Sequence, residues 1–219
     1  MTKPGFETMR TAMIDCQLRT SGVSSPGLLA AFAAVPREMF VPRELAAVAY
    51  VDAPVSVGRG RTMMEPLSLG RLLEAVKIGA GESVLIVGGS TGYSAAITSR
   101  LAARVTMVEQ DSALADVARG TLSTLGVDNV VVIEAAHTGG APDGAPYDVL
   151  VLDGAVETLP EPLLGQLRDG GRVAGVTVDG GVGRAMTGRM IGGTFGSEIF
   201  AEAVAAPLPG FGRDKTFVF

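Results

Sequence analysis

Val84-Leu85-Ile86-Val87-Gly88-Gly89-Ser90-Thr91-Gly92-Tyr93 is the stretch on which the reading of this chain turns. Four branched apolar residues stopped by glycine predict a short strand buried on both faces. The glycines that follow predict a tight turn at which the backbone comes close to a ligand. Tyr93 then opens a helix whose first amides lack intrahelical partners and are free to donate. Taken alone, strand, glycine turn and helix fit several kinds of nucleotide or cofactor binder. The Lys-Ser/Thr pair of a P-loop is missing, which disfavours a triphosphate.

Reading onward, a helix over 93–101 and a strand over 104–108 lead to Glu109, seventeen residues after Gly92 (109 − 92 = 17). A carboxylate at the end of the second strand can accept hydrogen bonds from both ribose hydroxyls of an adenosine. The plainer alternative is a solvated acid at a strand end. Strand and helix then keep alternating. The spacing predicts a helix over 112–125 with Gly126 behind it, strands over 130–133, 147–152 and 172–177, and a short helix over 160–167. This pattern is a parallel sheet built from βαβ crossovers. Beyond residue 179, segments 185–191, 199–205 and 216–219 read as further strands, with Gly192-Gly193 as a hairpin turn.

Before the glycine turn the sequence reads as helical. Met9, Ala12, Met13 and Cys16 recur at helical spacing within 9–19. Ser25-Pro26 resembles an N-cap and first helical position, and Pro36 ends that helix near Val35. A short helix over 42–50, an extended or looped 52–61 and a helix over 67–76 follow. A dinucleotide oxidoreductase and a methyltransferase both fit this order. The roughly eighty residues before the turn lean toward the second.

Composition narrows the classes further. The net charge is −5, and there is no run of Lys or Arg, so a dedicated nucleic-acid surface is not expected. The single cysteine, Cys16, allows no internal disulfide and reads as a buried thiol. The single histidine, His137, argues against a histidine-based metal site. The first ten residues lack a signal-peptide core, and the longest apolar stretch, 28–35, is too short to span a bilayer. These features point to a cytoplasmic protein without membrane partners. The oligomeric state is left open.

Several segments together resemble the protein-L-isoaspartate O-methyltransferase family. They are Gln17-Leu18-Arg19, Ala34-Val35-Pro36-Arg37-Glu38-Met39-Phe40-Val41-Pro42, Ala49-Tyr50-Val51-Asp52, Gly58-Arg59-Gly60-Arg61-Thr62, Gly92-Tyr93-Ser94-Ala95-Ala96, Ala145-Pro146-Tyr147-Asp148 and Gln166-Leu167-Arg168-Asp169-Gly170-Gly171-Arg172. The resemblance implies a Rossmann-like class I methyltransferase with a mostly parallel seven-stranded sheet. It divides the chain into a helical cap (1–76), a cofactor core (77–178) and C-terminal strands (179–219). It also implies S-adenosylmethionine as cofactor, S-adenosylhomocysteine as product, and the side-chain carboxylate of an isoaspartyl protein or peptide as acceptor. The implied cofactor contacts are Gly88, Gly89, Ser90, Thr91, Gly92, Glu109, Gln110, Ala136 and His137.

The chain departs from the family pattern at several of these places. Met64 stands where the family has a serine near the reacting carboxylate, and Glu65 follows it. Ile86 replaces an acid before the turn, and Ser90 replaces the turn's central glycine. Ala135-Ala136-His137 replaces Gly-Asp-Gly, and Asp153 replaces a threonine. A thioether cannot donate a hydrogen bond, and a carboxylate pointing inward would repel an anionic acceptor. Met64, Glu65 and Asp153 are therefore the candidate catalytic positions. Three outcomes stay open: an altered acceptor, weak isoaspartyl activity, or a non-catalytic binder of the nucleoside or of a partner. His137 reads first as a loop histidine. Asp153 reads equally as a helix cap or as a group facing the ligand cleft.

Overall fold

A computed structural model describes residues 5–213. The glycine turn sits where the sequence puts it. Strand β3 (Ser83–Val87) enters it and helix α4 (Tyr93–Ser99) leaves it. The chain continues through β4 (Arg104–Glu109), α5 (Ser112–Thr124), β5 (Val130–Glu134), β6 (Tyr147–Val156), α6 (Glu161–Leu164), β7 (Leu167–Asp179), β8 (Val182–Ile191) and β9 (Thr194–Glu202). Ahead of β3 lie α1 (Phe6–Met13), α2 (Pro26–Ala34), a hairpin of β1 (Val55–Gly58) and β2 (Arg61–Met63), and α3 (Pro66–Val76).

The large sheet has seven strands in the order β5-β4-β3-β6-β7-β8-β9. The pairs from β5 to β7 are parallel, and the last two are antiparallel. The chain winds outward from β3 to β5, then returns to the other side of β3 as β6. The strand order therefore reverses between β3 and β6, and the crevice at their carboxyl ends is where such sheets bind ligands. Gly88, Glu109 and Asp153 all lie on that rim.

The strands are buried on both faces, as their apolar runs require. Val84 and Ile86 pack with the N-terminal cap and α3–α5, while Leu85 and Val87 pack with Leu150, Leu152, Leu163, Leu208 and Phe211. The second face is thus closed largely by the C-terminal segment. That segment runs back along β6, with the Ala155 amide on Ala206 and the Leu208 amide on the Ala155 carbonyl, both at 2.8 Å. Gly180-Gly181 and Gly192-Gly193 join β7, β8 and β9 with positive φ at every position, the geometry of two-residue hairpin turns.

Some expectations change. The first helix ends at Met13 and continues as a π turn over Ile14–Leu18. The extra residue in that turn rotates the buried face onto Met13, Ile14 and Leu18. Cys16 is consequently exposed rather than buried. The segment read as extended or looped forms the β1–β2 hairpin, whose strands are too short for their alternation to register. Strands β6 and β7 run longer than their apolar cores, and the 160–167 helix shortens to a single turn. Residues 216–219 lie outside the described part. Among the described residues, no helix is long and apolar enough to cross a membrane.

One polar cluster locks the lower end of the sheet. Arg172 on β7 donates to both Glu82 oxygens (3.0 and 2.6 Å) and, through Nε, to the Val76 carbonyl at the end of α3 (2.7 Å). Burial alone would raise the Glu82 carboxyl, but Arg172 and the Gly79 amide hold it below its ordinary value. A carboxylate depressed in the folded state stabilises the fold above its unfolded pKa, and that stability is lost as pH falls through the folded pKa. Arg172→Met is expected to cost about 2 kcal/mol at pH 7. It should also flatten the loss of stability seen below about pH 4.5. Urea melts at pH 7 and pH 3.5 check both; an unchanged acid dependence would show that this pair carries none of it.

Candidate active site and cofactor cleft

The site is organised around Glu109, which is fully buried. Its Oε2 accepts the Ser90 amide at 2.9 Å, and its Oε1 accepts the Asp111 amide at 3.1 Å. The end of β4 is thereby fastened to the glycine turn after β3. The turn is closed by the Gly88 amide on Val108 (2.9 Å) and the Gly92 amide on Gly89 (2.8 Å).

Each residue of the turn has a local reason. Gly88 and Gly92 have φ of +80° and +95°. Gly89 packs so closely that a Cβ there would fall 2.5 Å from the Met107 side chain. Thr91 hydrogen-bonds through its hydroxyl to the Phe40 carbonyl at 2.7 Å, tying the turn to the N-terminal cap. Ser90 keeps a left-handed backbone, φ +54°, although it carries a side chain, and its buried hydroxyl has no partner.

His137 lies in the loop between β5 and β6, as read from the sequence, and is completely buried there. No α-helix joins β5 to β6. Two tight turns do so, held by the Gln166 side chain on Ala141 and Gly139 and by the Tyr147 hydroxyl on Ala141. This short path swings the imidazole inward. Nε2 lies 3.2 Å from both Glu109 Oε1 and the Gln110 amide, and Nδ1 has no partner. A protonated Nε2 donates to the carboxylate; an unprotonated one accepts the Gln110 N–H. Burial pushes Glu109 up, but His137, Arg61 and the Asp111 amide bring it below its ordinary value. Ala136 remains exposed at the mouth.

Two arginines to which the sequence reading gave no role are buried near this rim. Arg61, at the start of β2, donates from Nη2 to the Gly88 carbonyl at 2.8 Å and lies 3.7 Å from Glu109 Oε2. Arg37 is fully buried. It donates to the Ala49 and Met64 carbonyls, both at 2.6 Å, and lies 4.7 Å from the centre of the Tyr93 ring. Nη1 of each has no partner. An arginine in a Pro-Arg-Glu or Gly-Arg run gives no local sign that the tertiary fold will bury it.

Asp153 sits at a break in the β6–β7 register, between Val151 and Ala155. Burial raises its carboxyl, against the opposing pull of Ser94, Arg61 and Arg37, while the charge on Glu109 adds to the rise. These neighbours group it with Glu109, Arg61 and Arg37. Helix α6 starts at Glu161 without a side-chain cap. Met64 is buried and offers only its carbonyl, to Arg37. Glu65 occupies the N-cap position of α3 without a side-chain cap bond, and its carboxylate accepts the Ser68 hydroxyl at 2.6 Å.

A reversing parallel sheet with a glycine turn and a buried acid after its second strand is the frame of class I methyltransferases. Comparison with known proteins carries this further. The family model for protein-L-isoaspartate(D-aspartate) O-methyltransferase matches residues 9–181. Protein-L-isoaspartate O-methyltransferase 1 of Rhodopseudomonas palustris is 39% identical over 168 residues, which is 77% of this chain and 69% of that protein. The Koribacter versatilis enzyme of that name is 41% identical over 169 residues, 77% of this chain and 76% of its own length. A solved protein-L-isoaspartate O-methyltransferase superposes with a TM-score of 0.81 at 25% identity, covering 94% of this chain and 66% of that one. The chain belongs to the protein-L-isoaspartate O-methyltransferase family.

Ser90 generates a direct prediction. A non-glycine residue in the left-handed region costs roughly 1–2 kcal/mol, and its unpaired buried hydroxyl adds to that. Ser90→Gly should therefore raise stability by about 1 kcal/mol in a urea melt, with the Glu109 contact intact. A loss of stability would mean that the hydroxyl is well satisfied after all.

Proposed function

We propose that the chain transfers a methyl group from S-adenosylmethionine to the side-chain carboxylate of L-isoaspartyl residues in proteins or peptides. The single observation that carries this is the buried Glu109, hydrogen-bonded into the glycine turn of a chain belonging to the isoaspartyl methyltransferase family. A structure from Plasmodium falciparum assigned to the same family holds S-adenosyl-L-homocysteine; it shares the fold at 16% identity and a TM-score of 0.75.

The residues present fit such a cofactor. It needs a glycine turn, an acid for its ribose and polar groups along one rim. The cleft offers all three, including unpartnered buried atoms on Ser90, His137 and Arg61. In this reading the backbone of residues 88–92 and Glu109 hold the nucleoside, with Gln110, Ala136 and His137 on the side of the base. The bound group supplies an activated sulfonium methyl. The protein's own work is positioning and exclusion of water, since a carboxylate acceptor has no proton to lose.

Asp153 and Met64 set the acceptor. The family's serine donor is lost at Met64, and Asp153 stands across the cleft with its carboxyl raised by burial. The protonated form of Asp153 is the one that can donate a hydrogen bond to the acceptor carboxylate in place of that serine. The second reading is an ionised Asp153 selecting an amine or hydroxyl acceptor. With Glu65 taken by Ser68, its carboxylate counts less against an anionic acceptor than its position in the sequence suggests. We place this reaction in the cytoplasm.

Two experiments check the reading. At a hundred times its dissociation constant, S-adenosylhomocysteine should stabilise the fold by about 2.7 kcal/mol in a thermal-shift titration. Glu109→Ala should reduce the shift; no shift at millimolar ligand would count against the cofactor. With an isoaspartyl peptide, kcat/KM should fall as pH rises through the Asp153 pKa, because the donor is lost on ionisation. Asp153→Asn, which donates at every pH, should abolish that alkaline limb, and Met64→Ser should raise the rate. A rate that climbs with pH and collapses in Asp153→Asn would give the site to the second reading.

A further inference from the structure

Arg61 is 6% exposed, yet its guanidinium is only partly used. Nη2 bonds the Gly88 carbonyl at 2.8 Å, while the 3.7 Å to Glu109 Oε2 is an ion-pair distance too long for a hydrogen bond. Both Glu109 oxygens already have closer partners in the Ser90 and Asp111 amides. Arg61 thus neutralises Glu109 without satisfying itself, and Nη1 is left bare. A buried guanidinium edge without a partner is costly, and its planar fork is shaped for a carboxylate.

The backbone holds Arg61 in this place deliberately. Gly58, Arg59 and Gly60 all have positive φ, and the tight turn they form aims two arginines at the rim. Arg59 pairs with Asp111 at 2.5 Å beyond β4, and Arg61 reaches Gly88 beyond β3. The hairpin is therefore anchored to both strands that form the cleft.

The strand order says which end of a ligand meets Arg61. With the ribose on Glu109 after β4 and the base toward His137 after β5, the remaining end extends across β3 toward Gly88. In an S-adenosyl compound that end is an amino acid, with a free carboxylate. We infer that Arg61 is the carboxylate-binding residue for the amino-acid end of the cofactor. It balances Glu109 in the ligand-free protein and pairs with the ligand's carboxylate in the complex. This rests on the S-adenosyl reading of the cleft.

Calorimetric titration of the full chain with S-adenosylhomocysteine and with 5′-methylthioadenosine tests it. The second ligand keeps the adenosine and thioether and lacks the amino-acid end. The wild type should prefer S-adenosylhomocysteine. Arg61→Gln, which can still bond Gly88, should weaken S-adenosylhomocysteine by about 10- to 100-fold and leave 5′-methylthioadenosine unchanged or tighter. Arg61→Lys, a point charge without the fork, should restore part of the loss. Unaltered S-adenosylhomocysteine binding in Arg61→Gln, or an equal loss for both ligands, overturns the inference and leaves the cofactor assignment standing. A wild type that binds neither ligand overturns both.

Discussion

The carboxylate of Glu109 receives the amides of Ser90 and Asp111 from opposite sides and joins the ends of two parallel strands that share no turn. Much of the rim depends on that joint. The left-handed backbone at Ser90 aims its amide at the acid, and Gly89 lets the turn settle onto Met107. Thr91 carries the same turn back to Phe40, and its hydroxyl joins Arg59 and Arg61 in registering the N-terminal part against the rim. A fully buried carboxylate is tolerable only with such partners, because burying an unpaired charge costs several kcal/mol.

The charge balance around the joint explains the residues that look out of place. Glu109 and Asp153 are opposed by Arg61 and Arg37, and His137 adjoins Glu109 through Nε2 at 3.2 Å. The arginines come from the cap and its hairpin, the acids from the sheet. The two parts of the chain therefore meet through complementary charge as well as apolar packing. Several polar atoms stay bare in this shell, on Arg37, Arg61, Ser90, Ser94 and His137. In a well-packed interior such groups mark a place shaped for something other than the chain itself.

Departures from the family pattern are easier to judge once they have neighbours. Ser90 retains the backbone of the glycine it replaces. His137 moves in beside Glu109. Glu65 is taken up by the Ser68 hydroxyl. Asp153 lies at the β6–β7 register break, within the field of Arg61 and Arg37. None of these changes dismantles the frame; each alters a polar partner at its edge.

The sequence by itself determined the alternation of strand and helix, the glycine turn, Glu109 at its strand end and the family. These are local or periodic signals: a run of Val and Ile, a glycine that alone tolerates a turn, an acid at fixed spacing. The tertiary structure decided what periodicity cannot carry. A π turn after Met13 shifted the buried face by one residue and left Cys16 in solvent. A hairpin too short to show alternation delivered Arg59 and Arg61 to the rim. A helix-free link from β5 to β6 turned a loop histidine into a buried partner of Glu109. Arg37 and Leu208 reach the site from far along the chain, one from the cap and one from the C-terminal segment. Their roles follow from burial and from partners distant in sequence, and no window of neighbouring residues contains that information.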